Sequence, residues 1–442
     1  MALSPDDFFT KLDRRFPGAD FLIAFSGGLD SSVLLDLCVR GAGVQNRKRF
    51  CAVHVNHGLH AQSPQWAGHC VEICASLAID CRILTLEGIA QPGRSLEEAA
   101  RSARYEALRK CVQQNTVVLT AQHRDDQAET ILLQLLRGSG LKGLSGMPES
   151  IAFGPGVLHR PLLQIARERI RSYAEARKLN WIEDPSNADT RHQRNYLRHE
   201  IMPHLRERWP AVDKTLARSA KHCADAQQLI DLEVETWFRP LIEADPNTLS
   251  ISKLNAFDQG QKRLLVRHWI SRCGYLSPNA VKLEQIITEA IPAAPHRFPK
   301  IQWGQTEVRR YRDKLYLMSR LADFDRGRVI PWCIAETLAI PEIAGILEYR
   351  WTRDSDRSRE IPLIEVMVRF RQGGESFRLP GSRGSRSLKN IFQEFSVPPW
   401  ERDRIPLIYF DGTLQAIAGL LVGEAFQKIG IEFCWTWRTV RI

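Results

Sequence analysis

Five apolar residues, Phe21-Leu22-Ile23-Ala24-Phe25, run directly into Ser26-Gly27-Gly28-Leu29-Asp30-Ser31 and then into the largely apolar stretch Ser32 to Val39. The first run reads as a buried strand and the second as a helix, with the glycine pair as the turn between them. Adjacent glycines let a backbone approach a ligand closely and leave its N–H groups unhindered. The helix adds its positive N-terminal end, and Ser26, Ser31 and Ser32 add hydroxyls. Together these groups form an anion nest suited to a pyrophosphate. It is not a Walker A loop, because G-x-x-x-x-G-K-[ST] is absent and no lysine reaches in. A capped strand–helix turn without a ligand would use similar residues. The Gly-Gly pair placed immediately after the strand favours the nest.

The pattern repeats. Further strands are predicted at Cys51–Val55, Arg82–Leu86 and Val117–Thr120, with helices at Pro64–Ala78, Ser95–Gln114 and Asp126–Leu136. Alternating strands and helices predict an α/β fold, a doubly wound parallel sheet whose ligands lie beyond the carboxyl ends of the strands. From Leu162 to His222 the chain looks helical and rich in Arg and His, and helical periodicity continues from Leu229 to Ala290. Strand-like alternation follows from Ile301 to Leu317, then a charged stretch, Arg350 to Glu360, that reads as a linker. Short alternating runs and one helix near Leu388–Phe395 suggest a final α+β module. The expected division is a catalytic domain over residues 1–220, a mainly helical middle domain over 221–350 and a small α+β C-terminal domain over 361–442.

Composition narrows the functional classes. No apolar run approaches the ~18 residues of a membrane helix, so no membrane association is expected. The N-terminus is too acidic and interrupted for a secretory signal. Ten cysteines occur without a single C-x-x-C pair. That argues against a zinc ribbon, a thioredoxin-type site or a cysteine-rich iron–sulfur cluster, and fits reduced thiols in the cytoplasm. The 61 Lys+Arg against 51 Asp+Glu give a net charge of +10, which suggests a polyanionic partner, nucleic acid first.

Residues suited to chemistry gather where the strands end. Asp125, Asp126 and Glu129 cluster at a strand terminus and on the first turn of a helix, with Asp126 and Glu129 sharing a face. They could complement the helix dipole, coordinate a metal or recognise a cationic substrate. His54, Asn56 and His57 close the second strand. Gly138, Gly140 and Gly143 cap a helix or hinge a mobile lid. Basic residues fall in three groups: Arg191, Arg194, Arg198, Arg206 and Arg208; Arg101 and Arg104 with Tyr105; and Arg378, Arg383, Arg386 and Lys389. Each alone fits a solvated helix face, whereas the three together fit an extended nucleic-acid footprint.

Ser-Gly-Gly-x-Asp-Ser after the first strand resembles the PP-loop ATP pyrophosphatases, which cleave ATP between the α and β phosphates. Further blocks narrow the resemblance: His54-Val55-Asn56-His57-Gly58-Leu59, Thr120 through Thr130, Leu136 through Leu144, Arg160-Pro161-Leu162-Leu163, Glu183-Asp184-Pro185-Ser186-Asn187 and Arg194-Asn195-x-x-Arg198. Near the C-terminus Leu388 through Glu394 and Val397 through Leu407 continue the series. In this order the blocks resemble the tRNA(Ile)-lysidine synthetase family over essentially the whole chain. Gln122 departs from the pattern, where many relatives carry histidine.

The resemblance implies ATP bound over Ser26, Gly27, Gly28, Leu29, Asp30, Ser31 and Ser32, with adenosine bordered by His57. It implies Mg²⁺ at Asp30 and Asp126, and catalytic roles for Asp30, Asp126 and Glu129. Asp125, Asp126 and Glu129 would also meet the ammonium groups of free L-lysine. Arg101, Arg104, Arg194, Asn195 and Arg198 would contact substrate. The partner implied is an isoleucine tRNA with a CAU anticodon, bound also by the middle and C-terminal domains, and a homodimer is left open. The reaction adenylates the wobble cytidine and then transfers lysine to C2, with Asp126 as a candidate base. A tRNA thiolase of the same superfamily would normally bring paired cysteines, which this chain lacks. A small-molecule amidating ligase would usually bring a glutaminase, and an inactive tRNA-binding protein would not need Asp30, Asp125, Asp126 and Glu129 intact.

Overall fold

The computed structural model describes residues 3–58, 62–86, 96–294, 297–334, 336–343, 345–351 and 364–437. Leu59, Ser95 and the expected linker beyond Trp351 lie outside the described residues. The chain forms two compact units, Met1–Asp231 and Leu232–Ile442.

The first unit opens with α1 (Pro5–Arg15) and then alternates: β1 (Asp20–Ala24), α2 (Leu29–Asn46), β2 (Phe50–Asn56), α3 (Ser63–Ser76), β3 (Asp80–Thr85), α4 (Leu96–Lys110), β4 (Thr116–Leu119) and α5 (Arg124–Leu136). β1 lies between β2 and β4, parallel to both, with Ile23 opposite Ala52 on one side and Leu119 on the other. Both faces of β1 are covered. Phe21, Ile23 and Phe25 pack with Val33, Leu34 and Leu37 of α2, while Leu22 and Ala24 pack with Val53 and Leu108. That is why this strand reads as a continuous apolar run rather than an alternating one. The sheet order β3-β2-β1-β4 changes direction between β1 and β4. Loops leaving those two strands therefore diverge and open a crevice at their carboxyl ends.

After α6 (Leu141–Leu144), a hairpin of β5 (Ser150–Phe153) and β6 (Gly156–His159) extends the sheet, with β6 parallel to β4. These four-residue strands are too short to show a period, and the alternation in the sequence does not announce them. Next comes α7 (Arg167–Ala176), tied to α2 by the Tyr173 hydroxyl donating to buried Asp36 at 2.7 Å. An irregular stretch leads to α8 (Gln193–Tyr196), α9 (Met202–Arg208) and α10 (Val212–Phe238).

In the second unit, helices such as Gln259–Arg272 accompany an antiparallel sheet of β7 (Thr248–Ser250), β8 (Lys300–Trp303), β9 (Thr306–Tyr311) and β10 (Lys314–Ser319). The strand Ile330–Cys333 pairs with Glu365–Arg369, and Gly345–Trp351 pairs with Ile431–Trp437. The strand Ile330–Cys333 and residues 345–350, grouped from sequence with the middle segment, thus belong to the C-terminal sheets by pairing. The helix expected near Leu388–Phe395 spans Leu388–Glu394. No helix among the described residues is long and apolar enough to cross a membrane.

Candidate active site

The turn after β1 is built as an open helix terminus. Gly27 takes φ +81°, and a Cβ there would stand 2.6 Å from Ile182 Cδ1 and 3.0 Å from Cys70 Sγ, so only glycine fits both the conformation and the space. Gly28 caps α2 with no side-chain acceptor for the helix N–H groups. The first intrahelical bond is Ser32 N–H to the Gly28 carbonyl at 3.0 Å, which leaves the N–H groups of Leu29, Asp30 and Ser31 for a ligand. The Ser31 hydroxyl donates to the Gly28 carbonyl at 3.0 Å and lies 3.0 Å from Ser26 Oγ, fixing the turn from within. Ile182 N–H donates to the Gly27 carbonyl at 2.9 Å, laying residues 181–188 beside it.

Facing this turn, β4 delivers His123 as the N-cap of α5. Its Nδ1 accepts from Asp126 N–H at 3.3 Å, while Asp126 Oδ2 accepts from the His123 N–H at 3.0 Å. His123 Nε2 lies 3.4 Å from Asp126 Oδ2 and 3.6 Å from Asp30 Oδ2, so this buried imidazole joins the two loops. Burial pulls its pKa down, but Asp126, then Asp30 and Asp125, outweigh that and hold it above the ordinary histidine value. The sequence motif contains His123, yet nothing local marks it as the link; only the adjacency of β1 and β4 brings it to Asp30.

Asp126 and Glu129 do sit together, and so do Arg194 and Arg198. Arg198 donates to Glu129 at 2.7 and 2.9 Å and to Asp126 at 2.8 Å. Arg194 donates to Glu129 at 2.9 Å and to Asp126 at 3.1 Å. For Asp126, burial works against ionisation, and His123, Arg194 and Arg198 overcome it, leaving the carboxyl below its usual range. A carboxylate so held is a weaker proton acceptor than a free one. Asp125 points elsewhere: it accepts from Arg167 N–H at 3.0 Å and from Arg206 at 2.9 Å, binding α5 to α7 and α9. Asn195 donates to the carbonyls of Ser186 and Asp189 at 2.9 and 3.0 Å, pinning the stretch beside the glycine turn.

Two cavities meet over these groups, of about 780 and 570 Å³, sharing Ser26, Arg101, Arg104, Thr120, Gln122 and Asp184. The larger is lined by the glycine turn, Asp30, Asp126, Arg194 and Arg198; the smaller reaches His54, Asn56 and His57 at the end of β2. His57 is held below the ordinary histidine value by burial, then by Arg104 and His54. Arg104 has no carboxylate partner among the described residues, and burial lowers its pKa. Such a cation is suited to an anionic ligand. Among the described residues no cysteine lines either cavity.

The fit to Mg²⁺ rests on Asp30. Its Oδ1 is buried and has no hydrogen-bond partner, as a metal-facing oxygen would be. Both Asp126 oxygens already have donors. Among the described residues no group of three or more His, Cys, Asp and Glu is arranged for a metal. Mg²⁺ needs only one or two carboxylates when phosphates and waters complete its shell, so the donor set fits an ion shared with a nucleotide.

Family models for a PP-loop domain, a TilS substrate binding domain and a TilS substrate C-terminal domain match residues 6–205, 249–316 and 366–438. The chain is 41% identical over 451 residues to a tRNA(Ile)-lysidine synthase from Methylococcus capsulatus, covering 99% of this chain and 100% of that one. It is 39% identical over 436 residues to the enzyme of that name from Coxiella burnetii, covering 98% and 96%.

Proposed function

The chain belongs to the tRNA(Ile)-lysidine synthase family, and from that premise we propose that it joins free L-lysine to C2 of the wobble cytidine in an isoleucine tRNA with a CAU anticodon. It is an ATP-using enzyme with a PP-loop domain. The observation that carries the reading is the row of free N–H groups at the start of α2, facing the same cavity as Asp30 and Asp126, which His123 links from behind.

ATP lies with its β and γ phosphates over Ser26 to Ser32 and its adenosine toward His57. The cytosine O2 attacks the α phosphorus, forming an O–P bond as the bond to pyrophosphate breaks. The ε-ammonium of lysine gives its extra proton to solvent, the resulting amine attacks C2, and the C2–O bond breaks as AMP leaves. When bound, Mg²⁺ held by Asp30 supplies charge neutralisation on the phosphates. The rest falls to the chain's own groups. The N–H nest holds the departing pyrophosphate, and Arg104 offsets phosphate charge in the shared wall. His123 keeps Asp30 and Asp126 at fixed separation.

Free lysine enters with two ammonium groups and one carboxylate, which suits a site whose carboxylates are already paired with arginines. Its α-ammonium takes a place on Glu129 or Asp126 while its carboxylate takes the arginine released, and the ε-nitrogen is neutral once its proton has passed to solvent, so no charge is left unpaired. Asp126 then positions the amine by its charge rather than by accepting a proton. Arg194 and Arg198 act in substrate binding through this exchange, Asn195 holds the stretch beside the glycine turn in place, and Arg101 faces the RNA. The regions matched by the substrate-binding models carry the rest of the tRNA. The test is mass spectrometry of nucleosides from an unmodified isoleucine tRNA incubated with the protein, ATP, Mg²⁺ and lysine. Lysidine is expected; unmodified cytidine alongside pyrophosphate release that ignores lysine would overturn the assignment.

A further inference from the structure

The glycine-punctuated stretch after α5 has no part in the chemistry above, yet a third cavity opens beside it. This cavity encloses about 600 Å³ between the second half of α5 and residues 191–194. Among the described residues its charged lining has one sign: Arg101, Arg137, Arg191 and Arg194, with His192 among them and no carboxylate. These cations differ in what already holds them. Arg191 is bound by Asp189 at 2.7 Å, and Arg194 by Glu129 and Asp126. Arg101 lies over the Tyr105 ring at 5.2 Å, and Arg137 donates to the neutral Gln193 Oε1 at 3.0 Å. Neither has an ion pair with a carboxylate among the described residues. Two guanidinium groups without counter-charge among the described residues therefore border one cavity, which favours an anion with several acceptor oxygens.

The position identifies the anion. Arg101 also lines both cavities of the active site, Arg194 lines the larger and His192 the smaller, so an occupant here adjoins the reacting groups. Gly138, at φ +67°, reverses the chain after Arg137, and Ser139 Oγ donates to Gln134 in the cavity wall, which holds the turn. Leu136 on that turn is 74% exposed, with Leu135 and Leu141 also exposed, and Tyr196 of α8 is half exposed. Cations bordered by exposed apolar and aromatic side chains suit a strand of RNA, with phosphates on the guanidinium groups and bases against the apolar surface.

We propose that this cavity receives a backbone phosphate of the RNA substrate beside the base that reacts, held by Arg137 and Arg101. The inference rests on the reading that RNA is the substrate, and it assigns the RNA path to a wall of α5 and its following turn. Binding of unmodified isoleucine tRNA with a CAU anticodon is measured without ATP or lysine, from ~50 to ~200 mM salt, for the native chain and Arg137→Gln. Loss of one phosphate contact flattens the slope of log K against log salt by ~0.7–0.9. KM for tRNA rises while KM for ATP stays constant, and Arg137→Lys restores most of the slope. An unchanged slope in Arg137→Gln overturns the proposal, as does a raised KM for ATP with the tRNA slope intact, which would make the occupant a nucleotide phosphate. A native chain that binds tRNA yet forms no lysidine would refute the functional reading alone, because the slope comparison needs no turnover.

Discussion

Replacing Arg198 with glutamine removes three charge-assisted hydrogen bonds at once, two to Glu129 and one to Asp126. Glu129 has a side chain only 2% exposed, so the carboxylate cannot regain water in the folded chain. At roughly 1.5–3 kcal/mol each, three such bonds give a gross loss of ~4.5–9 kcal/mol. The arginine's own desolvation cost disappears with it, and breaking one partner of a buried pair usually costs ~3–5 kcal/mol net. Arg194 remains on Glu129 at 2.9 Å, which places the expected value toward the lower end. Hydrogen exchange of the α5 amides reads this locally, without assuming that both units unfold together. At ~1.4 kcal/mol per decade, protection should fall between about a hundredfold and a few thousandfold. Arg194→Gln, lacking one of those contacts, should cost less. Pairing Arg198→Gln with Glu129→Gln should recover at least ~1 kcal/mol relative to the sum of the single changes. A fall under tenfold, or additivity within ~0.5 kcal/mol, would show that the pairing does not hold α5 and that the ion-exchange account of lysine binding has no foundation.

Gly27→Ala places a Cβ against Ile182 and forces an L residue to φ +81°, costing ~1–3 kcal/mol of local strain; ATP affinity, followed by calorimetry, should drop with little change in the far-ultraviolet circular dichroism. His123 has its folded pKa raised, so its contribution to stability is complete below about 6.5 and is lost as pH rises through the elevated folded value. In a thermal melt series across that range, His123→Gln should flatten the dependence, and an unaltered slope would remove His123 from the link between Asp30 and Asp126. Asp30→Asn should abolish Mg²⁺-dependent pyrophosphate release while the fold persists; near-native release would move the metal to other residues.

How much of this was legible in the sequence differs by element. The strand–turn–helix from Phe21 to Val39 declared itself, because a strand buried on both faces must be uniformly apolar and its glycine turn has few other uses. Asp30, Asp126 and Glu129 were visible as residue types at strand ends. Their partners were not. Arg194 and Arg198 looked like a basic surface, since a charge run carries no mark of the carboxylate it will meet; the structure brings them to Glu129 across 65 and 69 residues. Asp125 looked equivalent to Asp126, but one position around a helix turn sends it to Arg167 and Arg206 instead. The β5–β6 hairpin and the pairing of residues 330–333 and 345–350 with the C-terminal strands also escaped, because strand partnership is a property of the assembled sheet and leaves little trace in local periodicity.

The late arrival of Arg194 and Arg198 along the chain bears on biosynthesis. A nascent polypeptide emerging in order presents the glycine turn and α5 well before either arginine leaves the ribosome. Until then Glu129 lacks Arg194 and Arg198, its ion-pair partners among the described residues, and must stay hydrated, which keeps α5 from seating. Nucleotide capture should therefore begin abruptly, once roughly the first two hundred residues are out, and chains stalled short of that length should expose α5 to proteases and chaperones.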